Sequence, residues 1–106
     1  FSPDHKTLAT TGKDRTILLW NLQGRLLHTL IGHGNYVNSV RFSPDGSFLA
    51  SASGDRSIKL WRLRPNNGLA VLPGYTKLGF GLGYSPDGQL LAMAGEGNQV
   101  ILRDAT

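Results

Sequence analysis

Short runs of apolar residues, separated by turn residues, predict an all-β chain. Glycine, proline and aspartate fall between the runs, where they favour tight turns. Four strands joined by hairpins therefore form one antiparallel sheet in the central part of the chain. The predicted strands are Tyr36–Phe42, Phe48–Ser53, Ser57–Leu63 and Leu69–Leu72.

The two inner strands carry apolar or small residues on both faces. This pattern covers Leu49–Ala52 and Ile58–Trp61. A sheet that is apolar on both faces needs a neighbour on each side. In the preceding strand, Val37 and Val40 flank the polar pair Asn38-Ser39, and this break in alternation predicts a β-bulge.

The chain repeats itself at intervals of about forty residues. Residues 1–22 align with residues 42–63 at an offset of 41, and residues 84–105 follow at a further offset of 42. A fixed period of this length is typical of architectures built from stacked copies of one unit. In the first copy, His5 stands at the turn position that Gly46 and Gly88 occupy in the others. Histidine tolerates a positive φ better than bulkier residues, so we expect this turn to form.

The repeated unit resembles the WD-repeat family of β-propellers. The similarity lies in Gly32-His33, in Val37 and Val40, in Phe42–Gly46, and in the spacing from Ser51 to Trp61. It implies antiparallel four-stranded blades of an incomplete propeller. The expected blades are a partial one at 1–30, a complete one at 31–73 and a partial, degenerate one at 74–106. The motif wording is similar to that of bacterial members.

The resemblance also implies a structural network inside each blade, formed by a histidine, a hydroxyl residue, an aspartate and a tryptophan. Buried imidazole and indole N–H groups need acceptors, so the residue types suit such a chain. The complete blade supplies His33, Ser51, Asp55 and Trp61, and the preceding one supplies Thr10, Asp14 and Trp20. The third repeat loses the set, with Tyr75, Met93, Gly97 and Arg103 at the matching positions.

Composition argues against several kinds of site. The net charge is +4, but the basic residues are scattered and do not form a nucleic-acid footprint. There are no cysteines, and the three histidines are far apart, so no metal or other cofactor is expected. No stretch is long and apolar enough to span a membrane. The chain begins at Phe1 and not at a methionine, so the absence of a signal peptide carries no information, and a cytoplasmic location is the expectation.

Two motifs resemble catalytic or ligand sites. Ser51, His33 and Asp55 are the residue types of a nucleophilic triad, but the repeat favours a structural role for them. The run Gly79-x-Gly81-x-Gly83 lacks the full spacing of a phosphate loop and is interpreted as a glycine-rich strand. We therefore expect no catalytic residues and no enzymatic activity.

Binding of other proteins is the function that remains. The resemblance implies a protein–protein interaction scaffold whose partners contact the face formed by inter-blade loops and by turns between second and third strands. Partners also include the rest of its own propeller, or a second copy if the chain is isolated. Alternatives are a regulatory or sensor module fused to an enzyme such as a kinase or nucleotide-dependent switch, or a catalytic propeller with hydrolase or dehydrogenase activity. The candidate contact residues are Tyr36, Asn38, Lys13, Arg15, Gly54 and Arg56.

Overall fold

The computed structural model of the 106-residue chain describes residues 1–63, 69–71, 79–95 and 100–105. All regular structure in these residues is β-strand, which confirms the predicted all-β class. The strands are β1 (Thr7–Thr11), β2 (Thr16–Asn21), β3 (Leu26–Ile31), β4 (Val37–Phe42), β5 (Phe48–Ser53), β6 (Ile58–Arg62), β7 (Leu69–Val71), β8 (Gly79–Tyr84), β9 (Leu90–Gly95) and β10 (Val100–Asp104). Leu72, Tyr75 and Gly97 lie outside the described residues.

The strands form three antiparallel sheets in chain order. The first contains β1-β2-β3, the second β4-β5-β6-β7, and the third β10-β9-β8. Each sheet joins strands that are neighbours in sequence, and antiparallel pairs of this kind need only short connections. The described residues contain no helix of the length and apolarity needed to cross a bilayer.

A β-bulge interrupts the first strand of the middle sheet where the sequence predicts it. The register of β4 against β5 shifts between Val37 and Ser39, which leaves Asn38 as the extra residue. The corresponding shift in the third sheet lies between Gly79 and Gly81 of β8. The glycine-rich run is therefore a strand with the same irregularity, as expected.

The Ser-Pro-Asp-Gly turns are closed by their own side chains. In the middle sheet, Ser43 Oγ donates to Asp45 Oδ1 at 2.7 Å and accepts from the backbone N–H of Phe48 at 3.0 Å. Asp45 Oδ1 also accepts from the backbone and the hydroxyl of Ser47, and these bonds lower the pKa of Asp45 to about 2. His5 has a φ of 60°, so the first turn forms without glycine, as predicted.

Successive turns of this type pack against each other. A Cβ added to Gly46 would lie 3.8 Å from Pro3 Cδ of the preceding turn, and one added to Gly88 would lie 3.3 Å from Pro44 Cδ. Both glycines also have a positive φ, of 77° and 75°. The contacts place the three turns side by side along one face of the molecule.

The core consists of two layers, one on each face of the middle sheet. Leu49 and Trp61 pair across β5 and β6 and face the first sheet, whereas Ala50 and Leu60 pair next to them and face the third. The strict alternation of side chains in a strand separates the two sets. The layer against the first sheet includes Ile17, Leu19, Leu30 and Val37, and the layer against the third includes Ala52, Ile58, Leu82, Leu91 and Met93.

Candidate functional site

Four side chains from four different segments meet inside the middle sheet. His33 lies two residues after β3, Ser51 in β5, Asp55 in the β5–β6 turn and Trp61 in β6. His33 Nδ1 lies 2.8 Å from Asp55 Oδ2, and His33 Nε2 lies 2.6 Å from Ser51 Oγ. The indole N–H of Trp61 donates to the same Ser51 Oγ at 2.9 Å. The structure thus brings these four predicted residues into one continuous hydrogen-bonded chain.

The direction of the protons along this chain follows from the chemistry of its ends. An indole only donates, and a carboxylate only accepts. The Nδ1–H of His33 therefore donates to Asp55, and its Nε2 accepts the hydroxyl proton of Ser51. Each polar side-chain group of these four residues then has a hydrogen-bond partner, as buried polar groups require.

The surroundings favour a neutral imidazole beside an ionised carboxylate. Burial lowers the pKa of His33, and its bond to Asp55 only partly offsets this effect. Burial opposes ionisation of Asp55 too, but bonds from the Ser57 hydroxyl, the Gly34 N–H and His33 outweigh it and hold the pKa of Asp55 well below its ordinary value. At neutral pH the site therefore holds a neutral His33 and an ionised Asp55.

Supporting residues that sequence reasoning missed fix the aspartate. Ser57 Oγ donates to Asp55 Oδ1 at 2.6 Å, and the Gly34 N–H donates to Asp55 Oδ2 at 2.9 Å. Ser53 Oγ accepts from the Asp55 N–H at 3.1 Å and donates to the carbonyl of Asn35 at 3.2 Å. The run of serines around the turn was the available signal. Together these bonds tie the loop before β4 to the β5–β6 turn.

The site is closed to solvent, which limits what it can do chemically. Ser51 has no exposed surface and His33 is only 6% exposed. A serine nucleophile must reach a carbonyl carbon of its substrate. Here the Ser51 oxygen already accepts a hydrogen bond from the indole N–H of Trp61. The geometry satisfies the buried polar groups and encloses the serine hydroxyl and the imidazole, whereas the Asp55 side chain is 17% exposed. No cluster of candidate metal ligands occurs among the described residues.

Comparison with known proteins agrees with this arrangement. The family model described as "WD domain, G-beta repeat" matches residues 1–21 and 24–62, which is more than half of the chain. The chain belongs to the WD40 repeat family. Its repeats match that model in the first sheet and in the middle sheet up to Arg62.

Curated relatives match one repeat length of this WD40 chain. Nuclear distribution protein nudF of Aspergillus niger is 44% identical over 41 residues, which is 39% of this chain and 9% of that protein. Nuclear distribution protein PAC1-2 of Uncinocarpus reesii is 51% identical over 35 residues, 33% of this chain and 8% of that protein. Lissencephaly-1 homolog of Heterostelium pallidum is 53% identical over 36 residues, again 33% of this chain and 9% of that protein.

The matched stretch spans only about a tenth of the length of these relatives. The similarity to these relatives is therefore a similarity over the length of one repeat. None of these three relatives is bacterial, so they lend no support to the expected bacterial type.

The first WD40 repeat holds only part of the polar chain. Trp20 Nε1 donates to Thr10 Oγ1 at 2.9 Å, as the equivalent pair does in the middle sheet. Asp14 is exposed instead and accepts from the backbone N–H of Thr16 at 3.2 Å. The structure does not bring Asp14 to the other two residues.

The third repeat replaces the polar chain with apolar packing. Met93, at the position of Ser51, is 1% exposed and packs in the layer between the second and third sheets. Arg103 stands where Trp61 stands in the middle sheet and pairs with Leu91 in the ladder. The described part of this repeat keeps three strands without the network.

The predicted contact residues lie at the loop and turn ends of the first two repeats. Lys13, Arg15, Tyr36, Asn38 and Arg56 are exposed, with Tyr36 at 51%. Gly54 is half-buried, and its N–H donates to the Tyr36 carbonyl at 2.9 Å. The two turns have an unusual backbone that the sequence analysis missed, because Arg15 and Arg56 have φ values of 71° and 68°.

Replacing the partly buried Asp55 tests the network against a matched control. We expect Asp55→Asn to destabilise the protein by about 2 kcal/mol, because the amide keeps one acceptor oxygen and turns an NH2 donor toward the groups that now donate to the other oxygen. Asp14→Asn, at the aligned but exposed position, should change stability by less than about 0.5 kcal/mol. Chemical denaturation followed by tryptophan fluorescence measures both. Equal effects of the two changes would contradict the role assigned to the network.

The stability of the protein should fall as the pH drops below neutral. The pKa of His33 in the folded state lies below its ordinary value of 6.5, so the unfolded state binds more protons between those two values. The contribution of His33 is fully present above pH 6.5 and is lost as the pH falls further. Asp55 adds a second loss below 3.8.

Melting temperatures measured from pH 7.5 to 5.0 test this expectation. His33→Gln should flatten the decline, because glutamine does not titrate. Gln23→Asn, at an exposed position that does not titrate, should leave the slope as it is. A parallel slope in all three proteins would assign the decline to other groups.

Proposed function

We propose that this chain supplies consecutive blades of a WD40 propeller that acts as a protein–protein interaction scaffold and not as an enzyme. The blades would be a partial one at residues 1–30, a complete one at 31–73 and a partial one at 74–106. The observation that carries the proposal is the closed polar chain between the loop before β4 and the β5–β6 turn. In this arrangement the histidine, serine and aspartate side chains bind one another and connect the loop before β4 to the β5–β6 turn.

The catalytic alternative has little support from this geometry. The three residues of a possible triad, Ser51, His33 and Asp55, are aligned, but the serine is enclosed and its oxygen already accepts from Trp61. A hydrolase of this kind would need an opening beside Ser51. The function we propose leaves these residues as structural parts of the blade.

The surface held by the polar chain suits a protein contact. Tyr36 is half exposed, and its carbonyl is fixed by Gly54 while its N–H donates to Asn35 Oδ1 at 2.7 Å. An aromatic residue with a fixed backbone loses little conformational entropy on binding and can serve as an interface anchor. We therefore assign Tyr36 as the central contact residue of the scaffold.

Photo-crosslinking in cells tests the assignment directly. A benzophenone amino acid at position 36 of the full-length protein should give a discrete protein adduct, because this side chain would lie in the interface. The same group at Gln23 serves as the control, since Gln23 is exposed at the opposite end of the strands. Adducts that are absent at position 36, or identical at both positions, would argue against this binding face.

The scaffold also needs cover for its two outer sheets. In the middle sheet, Ile58 and Leu60 are 0% and 5% exposed because the third sheet covers them. The aligned residues of the third sheet, Val100 and Leu102, are 68% and 65% exposed. We propose that further blades of the same propeller cover this face, and that a second copy does so in the 106-residue chain alone.

Sedimentation velocity of the 106-residue chain tests the second part. The chain should associate as its concentration rises, and Val100→Glu/Leu102→Glu should shift it toward monomer, because charges would then enter an apolar contact. Tyr36→Glu adds a charge in the loop before β4, away from Val100 and Leu102, and should leave association unchanged. A monomer that melts cooperatively and independently of concentration would refute self-association.

The relatives' names include nuclear distribution, but the similarity covers the length of one repeat. A repeat is a unit of fold, and fold alone does not fix function. Our proposal therefore rests on the surface of this chain and does not extend to a role in nuclear distribution.

A further inference from the structure

We propose that the loop face of this chain binds an acidic segment of a partner protein. The inference rests on the proposed scaffold function and names the chemistry of its ligand. The acidic-segment face, as we call it, consists of the β1–β2 turn with Lys13 and Arg15, the β5–β6 turn with Gly54 and Arg56, and Tyr36 of the loop before β4.

The backbone places both turns on the same face. Pro3 contacts the position of Gly46, so the turns that precede β1 and β5 lie side by side. Both strands run away from these turns over nearly equal lengths, Thr7–Thr11 and Phe48–Ser53. The β1–β2 and β5–β6 turns at their far ends therefore both lie on the opposite face. The bond from Gly54 to the Tyr36 carbonyl adds the tyrosine to it.

Two arginines on this face have backbone conformations that cost free energy. Arg15 and Arg56, 41 positions apart, have φ values of 71° and 68°. Glycine adopts such angles without steric cost, and asparagine does so more readily than arginine. Strained positions of this kind concentrate at functional sites. The same costly choice in two successive repeats indicates that the guanidinium group is needed there.

Neither guanidinium group is used inside the protein. In the described ranges 1–63, 69–71, 79–95 and 100–105, no carboxylate or carbonyl oxygen binds Arg15 or Arg56, and the recorded ion pair is that of His33 with Asp55. The nearby acids have other contacts, since Asp14 accepts from the Thr16 backbone and Asp55 belongs to the buried chain. The face therefore presents three outward cations, with Asp14 as its exposed acid.

The turn and the loop of this surface pack closely against each other. A Cβ at Gly54 would lie 3.2 Å from the Asn35 side chain, so the turn and the loop are in close contact. Preorganised donors lose less entropy when they bind a carboxylate, and guanidinium groups can bind one through two parallel bonds. Tyr36 supplies an apolar contact beside these charges. An acidic stretch with an apolar residue would bind the cations through its carboxylates and Tyr36 through its apolar side chain.

Nucleic acid is less suited to this face. A duplex carries closely spaced phosphates, and proteins that bind it use many basic contacts. Other arginines of the chain have contacts away from the two turns. Arg62 lies over the Phe48 ring at 5.6 Å, and Arg41 donates to the Val40 carbonyl at 2.8 Å. Three cations fit a short run of glutamate or aspartate.

A fluorescein-labelled peptide of ten glutamates is the probe, and fluorescence anisotropy with the full chain at low salt is the measurement. The peptide should bind, and added salt should weaken it. Arg15→Gly/Arg56→Gly should weaken binding about tenfold, because two charge pairs are lost. Glycine also removes the backbone strain, so the melting temperature should stay the same or rise. Arg15→Asn/Arg56→Asn provides a second uncharged pair.

Two controls separate the face from the total charge. Arg25→Gln/Arg41→Gln removes the same charge elsewhere and should leave peptide affinity within about twofold, whereas Arg15→Lys/Arg56→Lys should keep most of it. The proposal is overturned if the parent protein does not bind the peptide, or if both arginine pairs weaken it equally. It is also overturned if single-stranded DNA binds more tightly through Arg15 and Arg56. A non-acidic partner crosslinked at position 36 would overturn the acidic ligand and leave the scaffold function standing.

Discussion

Both faces of the middle sheet are apolar and must be buried against a neighbouring sheet, and the rest of the structure follows from this requirement. Leu49 and Trp61 pack against the first sheet, and Ala50 and Leu60 pack against the third, so neither face could be left in water. A sheet of this kind has no stable isolated form, and its repeats are stabilised mainly by their neighbours. The exposed Leu102 in the third sheet shows the same requirement without a neighbour to meet it.

The buried polar chain adds a local link to this packing and not a general condition for it. The third sheet packs with Met93 where the middle sheet has Ser51, so a repeat can pack against its neighbour without this residue of the network. What the network adds is a connection between the loop that contains Gly34 and the turn that contains Asp55. That connection sets the positions of Tyr36 and Arg56, and it joins the stability of the blade to the proposed binding surface.

The relation between repeats explains how one fold can carry a specific surface. The closed turns lie side by side in successive repeats, where proline of one turn contacts the glycine position of the next. The turns at that other end are free to differ in charge and shape. Lys13, Arg15 and Arg56 lie there, where substitution costs the fold little and alters the surface directly.

Elements whose causes are local could be predicted from the amino-acid pattern. The strands, the bulge near Asn38, the turn at His5 and the existence of repeats follow from side-chain alternation and from residues that favour turns. Which residues are covered, and which neighbours support them, depends on how the sheets pack. Leu60 and Leu102 occupy equivalent positions, yet one is buried and the other exposed, and Ser57 became a partner of Asp55. Burial and hydrogen-bond partners depend on segments distant in sequence, and a local pattern carries no information about where those segments lie.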